Sequence, residues 1–419
     1  MTTDTNTIWD VAVIGGGPAG MMAAGRAAER GAKVILIEKN SSLGKKLLIT
    51  GGGRCNVTNA EPDVRKLLAK FKESDQFLFS AFSQWGVKET LDFFNDKGME
   101  TKVEAEQRVF PLSNKSQSVW DVLVKYINDH GVTILSGSPV QEIIKDDERI
   151  TGLRLKNKRE IQAHSVVLAT GGISHPETGS TGDGFKWLES LGHKVVEPRG
   201  ALVPIAIKED WVKRVAGLAV PNLKVTLIQN GVKQESKVGK VLFTHVGLSG
   251  PAILNLSSSV GELLKYGEVN IELDLLPEFD YSTLNTKLQE TFKEQDKRKF
   301  KNCLTPLLPS SLAPVIVTLS GINPDKQCNA VTREERLNLV KLLKHLNLSV
   351  LGLLGEDKAI TTSGGVVLDE VDFKTMRSRL FPNLYLVGDV LNIDRPSGGY
   401  SLQLCWTTGF VAGNSVEVK

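Results

Sequence analysis

Only four cysteines occur in 419 residues, and none belongs to a CxxC pair. Cys55, Cys303, Cys328 and Cys405 stand far apart in the chain, so the sequence predicts neither a disulfide framework nor a zinc motif. The six histidines are scattered and form no metal-ligand pair with a nearby Cys, Asp or Glu at a familiar spacing. No apolar run approaches the ~18 residues of a membrane span. The net charge of +3 is too small to argue for nucleic acid by itself. The first seven residues lack the basic and apolar regions of a signal peptide, which predicts a cytoplasmic location. There is no internal repeat, and the pattern GxGxxG occurs once.

That one occurrence is the most informative segment. An apolar run of strand type from Asp10 stops at Gly15, and Gly15, Gly17 and Gly20 carry the GxGxxG spacing. A helix-forming stretch follows from Met21 to Arg30, then a second apolar run, Val34 to Ile37, ending at Glu38. Strand, turn, helix, strand and acid in this order predict a βαβ dinucleotide site. Gly15 would permit the tight turn, Gly17 the approach of a pyrophosphate, and Gly20 close packing of helix on strand. The helix N-terminus would offer unpaired N–H groups to the phosphates. Glu38 would accept hydrogen bonds from ribose hydroxyls.

Further along, Phe71 to Gly98 places Phe77, Phe79, Phe82, Trp85, Leu91, Phe93 and Phe94 at the spacing of buried helix faces, and Val119 to His130 reads as an amphipathic helix. Val132–Leu135, Val140–Lys145 and Ile150–Leu155 read as strands. The last of these pairs with Glu160–Ala163 through a turn led by Asn157, with Lys158. Ser165 to Gly172 reads as a buried strand ending in two glycines. Composition changes near Pro198. Short strands then dominate to about Leu275, and a Lys-, Glu-, Gln- and Leu-rich stretch broken by prolines follows to about Leu346. A strand ending in Gly388-Asp389 and a helix from Tyr400 to Ser415 close the pattern. The expected organisation is α/β: residues 1–198 and 361–419 form a Rossmann-like domain, 199–276 and 347–360 an inserted β-rich domain, and 277–346 a helical subdomain.

Three features favour FAD over NAD. Asp389, after Gly388, would reach a ribityl hydroxyl, which NAD lacks. Ser397-Gly398-Gly399-Tyr400, before a helix, would turn backbone N–H groups to the O2/N1 edge of a flavin ring, where reduced flavin gathers negative charge. Ala169-Thr170-Gly171-Gly172 would allow close backbone approach to the cofactor.

The run Gly44-Lys-Lys-Leu-Leu-Ile-Thr-Gly-Gly-Gly-Arg-Cys-Asn-Val-Thr-Asn59 resembles the YhiN/BaiN/RdsA family of FAD-dependent oxidoreductases. Phe243-Thr-His-Val-Gly-Leu-Ser-Gly-Pro251 and Gly398-Gly-Tyr-Ser-Leu-Gln403 carry the same resemblance, which spans essentially the whole chain. It implies a glutathione-reductase-like FAD domain interrupted by a β domain and a helical subdomain. It places Gly15, Gly17, Pro18, Ala19 and Gly20 at the pyrophosphate, and Glu38 and Lys39 at the adenosine ribose. It runs Lys46, Gly53, Arg54, Cys55 and Asn56 toward the flavin, and meets the adenine at Val140. It sets Asp389 on the ribityl chain and Gly399, Tyr400, Ser401 and Leu402 at the pyrimidine end of the ring. Two positions depart from the family pattern: Ser401 stands where Asn is usual, and the Arg395–Pro396 pair before the glycines is uncommon.

A flavin would supply hydride chemistry, and reduction of a polarised C=C bond would need a donor for the developing enolate and an acid for the other carbon. Cys55, Tyr400, His245 and Arg395 are the candidates. Cys55 lies beside cationic Arg54, a setting that would lower its pKa; its alternative role is as a small residue packed on the cofactor. Tyr400 would otherwise stack or cap. His245 precedes a turn with Ser249 near an N-cap and Pro251 in the first turn, either a structural cap or an anion site. Without a second GxGxxG, NAD(P)H would bind transiently near the flavin. Lys297-Arg298-Lys299-Phe300-Lys301 reads as a solvated helix face or as an RNA-phosphate surface. The readings are a reductase of uridine in ribosomal RNA, an ene-reductase of a steroid-like or other enone, and a flavin-containing RNA-binding or assembly factor.

Overall fold

The structure is a computed structural model and describes residues 7–418. It divides into two units, residues 1–201 with 356–419, and residues 202–355. In the first unit, β1 (Ile8–Ile14), α1 (Pro18–Glu29) and β2 (Val34–Ile37) form the expected βαβ element. β1 and β2 are parallel and in register from Val11–Val34 to Ile14–Ile37. They sit centrally in a seven-stranded sheet. Thr133–Leu135 lies outside β2, and Glu160–Leu168 lies on the other side of β1. Both central strands are buried on both faces, which explains their continuous apolar runs.

Glu160–Leu168 is one strand where the sequence suggested two, because its alternation changes to an unbroken apolar run as it enters the core. At the turn before it, Lys158 takes the positive φ of 68° and Asn157 instead accepts the Arg159 N–H at 3.1 Å. Phe79 departs from its predicted face: it is 58% exposed, one position out of phase with buried Leu78 and Phe82. Val195–Ala201 runs through Pro198 and pairs antiparallel with Thr361–Val366.

α1 packs against the last helix, Tyr400–Ser415, along a seam of small residues. A Cβ added at Gly409 or Gly413 would meet the Ala19 or Ala23 carbonyl oxygen at 2.5 Å. The two helices run parallel, with Ala19 near the start of α1 set against Gly409, nine residues into the last helix.

The second unit is a closed six-stranded barrel, Ile205–Ile207, Gly247–Ser249, Val232–Phe243, Ala219–Gln229, Asn270–Asp274 and Leu346–Leu353 in spatial order. The helices Tyr281–Glu294, Ala313–Leu319 and Arg333–Lys344 contribute to the same apolar core as the barrel strands. Cys303 and Cys328 are joined there as a buried disulfide, which corrects the expectation from spacing. The chain returns after 25 residues, so two cysteines distant in sequence meet.

Candidate functional site

A cleft of about 1250 Å³, counting space open to solvent, crosses the first unit along the ends of β1 and β2. It has formed at the glycine turn. Gly15 has φ 104°, and its N–H donates to the Ile37 carbonyl at 2.8 Å. Gly17 is the N-cap of α1 with no side chain to satisfy the first-turn N–H groups, and Pro18 starts the helix. Gly17, Pro18 and Ala19 line the cleft, whereas Gly20 does not. A Cβ at Gly20 would overlap the Gly15 carbonyl oxygen, so its role is the close packing of helix on strand.

Glu38 is buried at the end of β2. Its Oε2 accepts from the Gly16 N–H at 2.8 Å, and its Oε1 accepts from the Asn40 N–H at 2.7 Å and from Asn40 Nδ2 at 2.8 Å. The carboxylate therefore fixes the glycine turn, with acceptor capacity left for a ligand. Lys39 Nζ donates to Thr181 Oγ1 at 2.5 Å and pairs with Asp183 at 2.8 Å.

The middle of the cleft is lined by Lys46, Ala169, Thr170, Gly171, Gly388 and Asp389. Lys46 Nζ donates to Ser174 Oγ at 2.5 Å and lies 3.7 Å from Asp389 Oδ2. Burial works to raise the Asp389 carboxyl, but Arg395 and Lys46 together hold it below the ordinary carboxylate range. The Thr170 hydroxyl is buried with no partner among the described residues. At the far end Ser401 and Leu402 enter from the first turn of the last helix, whose N-cap, Gly399, also offers no side chain.

The glycine-rich loop stands behind this wall rather than in it. The helix α2 (Lys45–Gly53) breaks at Thr50, and Gly51 and Gly52 take φ of 57° and 67°. Lys45, Lys46, Leu47 and Thr50 face the cleft; Gly53, Arg54, Cys55 and Asn56 do not line it. Arg54 bonds Glu104 and Asn114 at 2.5 Å each and lies over the Phe110 ring. Its charge is thereby spent away from Cys55, which is fully buried. The expected low thiol pKa is corrected: burial pushes it up to about 12. Asn56, with its amide oriented to satisfy its neighbours, accepts the Gly399 N–H at 3.0 Å and donates to the Thr58 and Val109 carbonyls. That N–H belongs to the loop clamp, so the cleft is served by the helix groups after it.

Tyr400 is buried, edge-on to Phe71. Burial raises its pKa, with Glu61 and Glu106 adding to the effect. Arg395 is buried and bonded to Asp389 and Ser401. His245 is exposed in the second unit, before the Gly247–Ser249 strand. The turn leads into a four-residue helix as predicted, with Gly250 as its N-cap, Ser249 beside it and Pro251 in the first turn. The Lys297–Lys301 run is an exposed loop and short 3₁₀ turn rather than a helix face, with Phe300 buried and Lys299 and Lys301 both paired to Asp325.

The sequence reading missed the opposite wall, Thr178, Gly179, Ser180, Asp183 and Trp187, and also Asn40 and Cys405. Cys405 had a signal, since it lies four residues after Ser401 on one helix face. The opposite wall had none. A further cluster, Ser378–His193–Glu370, has hydrolase-like connectivity at 2.9 and 2.7 Å. Its serine is 2% exposed and accepts the Leu380 and Phe381 N–H groups, so it locks a turn.

Two uncapped helix starts, a lysine between them and an unpartnered hydroxyl form a donor set for a long ligand with acceptor groups at two points. That chemistry fits FAD. The fold and cleft define a Rossmann-type FAD-dependent oxidoreductase. Residues 9–415 match the model of the HI0933-like protein Rossmann domain, and the chain belongs to that family. It is 31% identical to the 3-dehydro-bile acid delta(4,6)-reductase of Clostridium scindens, over 98% of this chain and 99% of that one. It is also 31% identical to the ribosomal RNA dihydrouridine synthase of Escherichia coli, over 97% and 98%. In fold it is similar to a 3-ketosteroid delta1-dehydrogenase of Sterolibacterium denitrificans, with TM-score 0.57 and 13% identity over 98% of this chain and 99% of that one. Among the described residues no three His, Cys, Asp or Glu side chains gather as a metal site, and no helix is long and apolar enough to cross a membrane.

Trp187 shares the cleft wall with Val140, its indole N–H fixed on the Gln141 carbonyl at 3.0 Å. Titrating apoprotein with FAD should quench tryptophan fluorescence. Trp187→Phe should remove more of that quenching than any other single tryptophan substitution, and should weaken binding by about 1 kcal/mol, roughly fivefold.

Proposed function

We propose that the protein reduces a carbonyl-conjugated C=C bond, that of uridine in ribosomal RNA, giving dihydrouridine with electrons from NAD(P)H. The observation carrying this reading is end-to-end similarity to two proteins named ribosomal RNA dihydrouridine synthase, at 31% and 28% identity. The bile acid reductase, at 31%, favours a second reading in which the substrate is a small enone. Both names describe saturation of a C=C bond beside a carbonyl-bearing system, so the reaction class is common to the two.

FAD, when bound, supplies the hydride chemistry. In this reading Gly15, Gly17, Pro18 and Ala19 hold its pyrophosphate, and Glu38 and Lys39 flank the adenosine ribose. Val140 meets the adenine, Asp389 the ribityl chain, and the Ser401 and Leu402 N–H groups the ring edge. Tyr400 and Cys55 both keep their protons at neutral pH, as an acid must. Tyr400 is the better placed, since it begins the helix whose next two residues line the cleft. The inserted residues, 199–360, select the substrate, with the exposed Lys297, Arg298, Lys299 and Lys301 meeting RNA phosphates and His245 an anion.

The test is anaerobic reduction of the purified flavoprotein by NADH and by NADPH, followed by mixing with ribosomal RNA or with a steroid enone. Reoxidation by RNA, with loss of a dihydrouridine from ribosomal RNA in a deletion strain, is the expected result. Reoxidation by the enone alone, with an unchanged dihydrouridine map, would overturn the RNA reading in favour of the second.

A further inference from the structure

The two positions that depart from the family pattern, Arg395 and Ser401, touch each other. Arg395 Nε donates to Ser401 Oγ at 3.0 Å, Nη1 donates to the Ile393 carbonyl at 2.7 Å, and Nη2 is bonded to Asp389 Oδ1. The guanidinium side chain is 1% exposed and that of Asp389 14%. A permanently charged group is thus buried behind two residues that line the cleft, and it spans the strand-end acid and the first turn of the last helix.

We propose that Arg395 is a positioning residue that sets the charge at the flavin end of the cleft. This rests on FAD occupying the cleft as described above. Three charged side chains meet there: Lys46, Arg395 and Asp389. With both cations present they leave one net positive charge, added to the positive start of a 16-residue helix. Reduction places negative charge on the O2/N1 side of a flavin ring, so a net positive surround favours the reduced form. Without Arg395 the cluster becomes neutral, because only Lys46 remains to oppose Asp389. The planar guanidinium also fixes the position of the Asp389 carboxylate through Nη2 and holds Ser401 at the helix start through Nε. Lysine at 395 would keep the charge and lose the planar donor set.

The experiment measures the midpoint potential of bound FAD, and its dissociation constant, in wild type, Arg395→Gln, Arg395→Lys and the double variant Asp389→Asn/Arg395→Gln. Arg395→Gln is expected to shift the reduced-to-oxidised ratio at a fixed potential at least tenfold toward oxidised, about 30 mV for a two-electron couple. Arg395→Lys should retain most of the wild-type value. The double variant restores one net positive charge and also removes the buried carboxylate that the single variant leaves with Lys46 alone as its partner, so it guards against a single variant that fails to fold. Its potential should return toward wild type. An unchanged potential in Arg395→Gln that still binds FAD, or a double variant as low as the single, would overturn the inference and leave the FAD reading intact. A wild-type protein that binds no FAD would overturn both.

Discussion

Gly17→Asp yields a folded protein that has lost its flavin. Gly17 is the N-cap of α1, with φ −78° and ψ −178°, an extended backbone that any residue adopts. A Cβ there meets nothing within 4 Å, so the added side chain enters the cleft rather than the core. Aspartate is among the best N-caps, and its carboxylate would accept the first-turn N–H groups that α1 now leaves uncapped, stabilising the apoprotein by about 1 kcal/mol. Those are the groups a pyrophosphate needs. The carboxylate also sets a negative charge against the phosphates, and like-charge contact costs several kcal/mol, so FAD affinity should fall by about 10³-fold or more. Gly20→Val gives the opposite result. Its side chain would overlap the Gly15 carbonyl oxygen, and the unit should fail to fold. Thermal melts of the apoproteins and FAD titration separate the two outcomes. A Gly17→Asp protein that purifies with a full complement of FAD would refute this account of the helix start.

The contrast between the two glycines shows which parts of the site can be read from sequence. The first βαβ element is local: strand, turn and helix lie within thirty residues, and each carries its own signal in apolar run, glycine spacing and helix propensity. The last helix, Tyr400–Ser415, was legible for the same reason. Fifteen of the predicted cofactor residues line the cleft together. What escaped depends on pairs that the chain closes over long distances. Asp183 and Trp187 join the wall because Lys39, on the other side of the cleft, pairs with Asp183 across 144 positions. No periodicity encodes that. Cys55 beside Arg54 looked like an activated thiol, but adjacent residues on a turn point in different directions. Arg54 went to Glu104 and Asn114, and Cys55 to the core. Glu38 carries a second duty for a similar reason, since its partner Gly16 is 22 residues away.

The thiols give a second large effect, this time in stability. Cys55 is fully buried and Cys405, at the cleft, is 9% exposed; burial pushes each up to about 12 from an ordinary 9.0, and Asp389 adds to the rise at Cys405. A folded pKa above the unfolded one means that the folded state keeps a proton that the unfolded state releases. Stability is therefore complete below about pH 9 and falls as pH rises from there toward 12, by about 1.4 kcal/mol per pH unit for each thiol. The two together remove roughly 4 kcal/mol by about pH 10.5. Cys55→Ala/Cys405→Ala should be less stable than wild type at neutral pH, by about 1–3 kcal/mol through lost burial. It should lack this alkaline limb and overtake wild type above about pH 10. Urea denaturation of both apoproteins from pH 7 to 11 checks the crossing, since lysines and tyrosines titrate equally in the two; parallel curves would sink the argument. The same burial bears on catalysis. A thiol that keeps its proton until about pH 12 holds no thiolate at physiological pH, so neither cysteine acts there as a nucleophile. The rate of anaerobic flavin reduction by NAD(P)H should accordingly show no thiol-dependent limb between pH 7 and 9. A limb in that range would belong to a group other than Cys55, Cys405 or Tyr400, all three of which burial keeps protonated there.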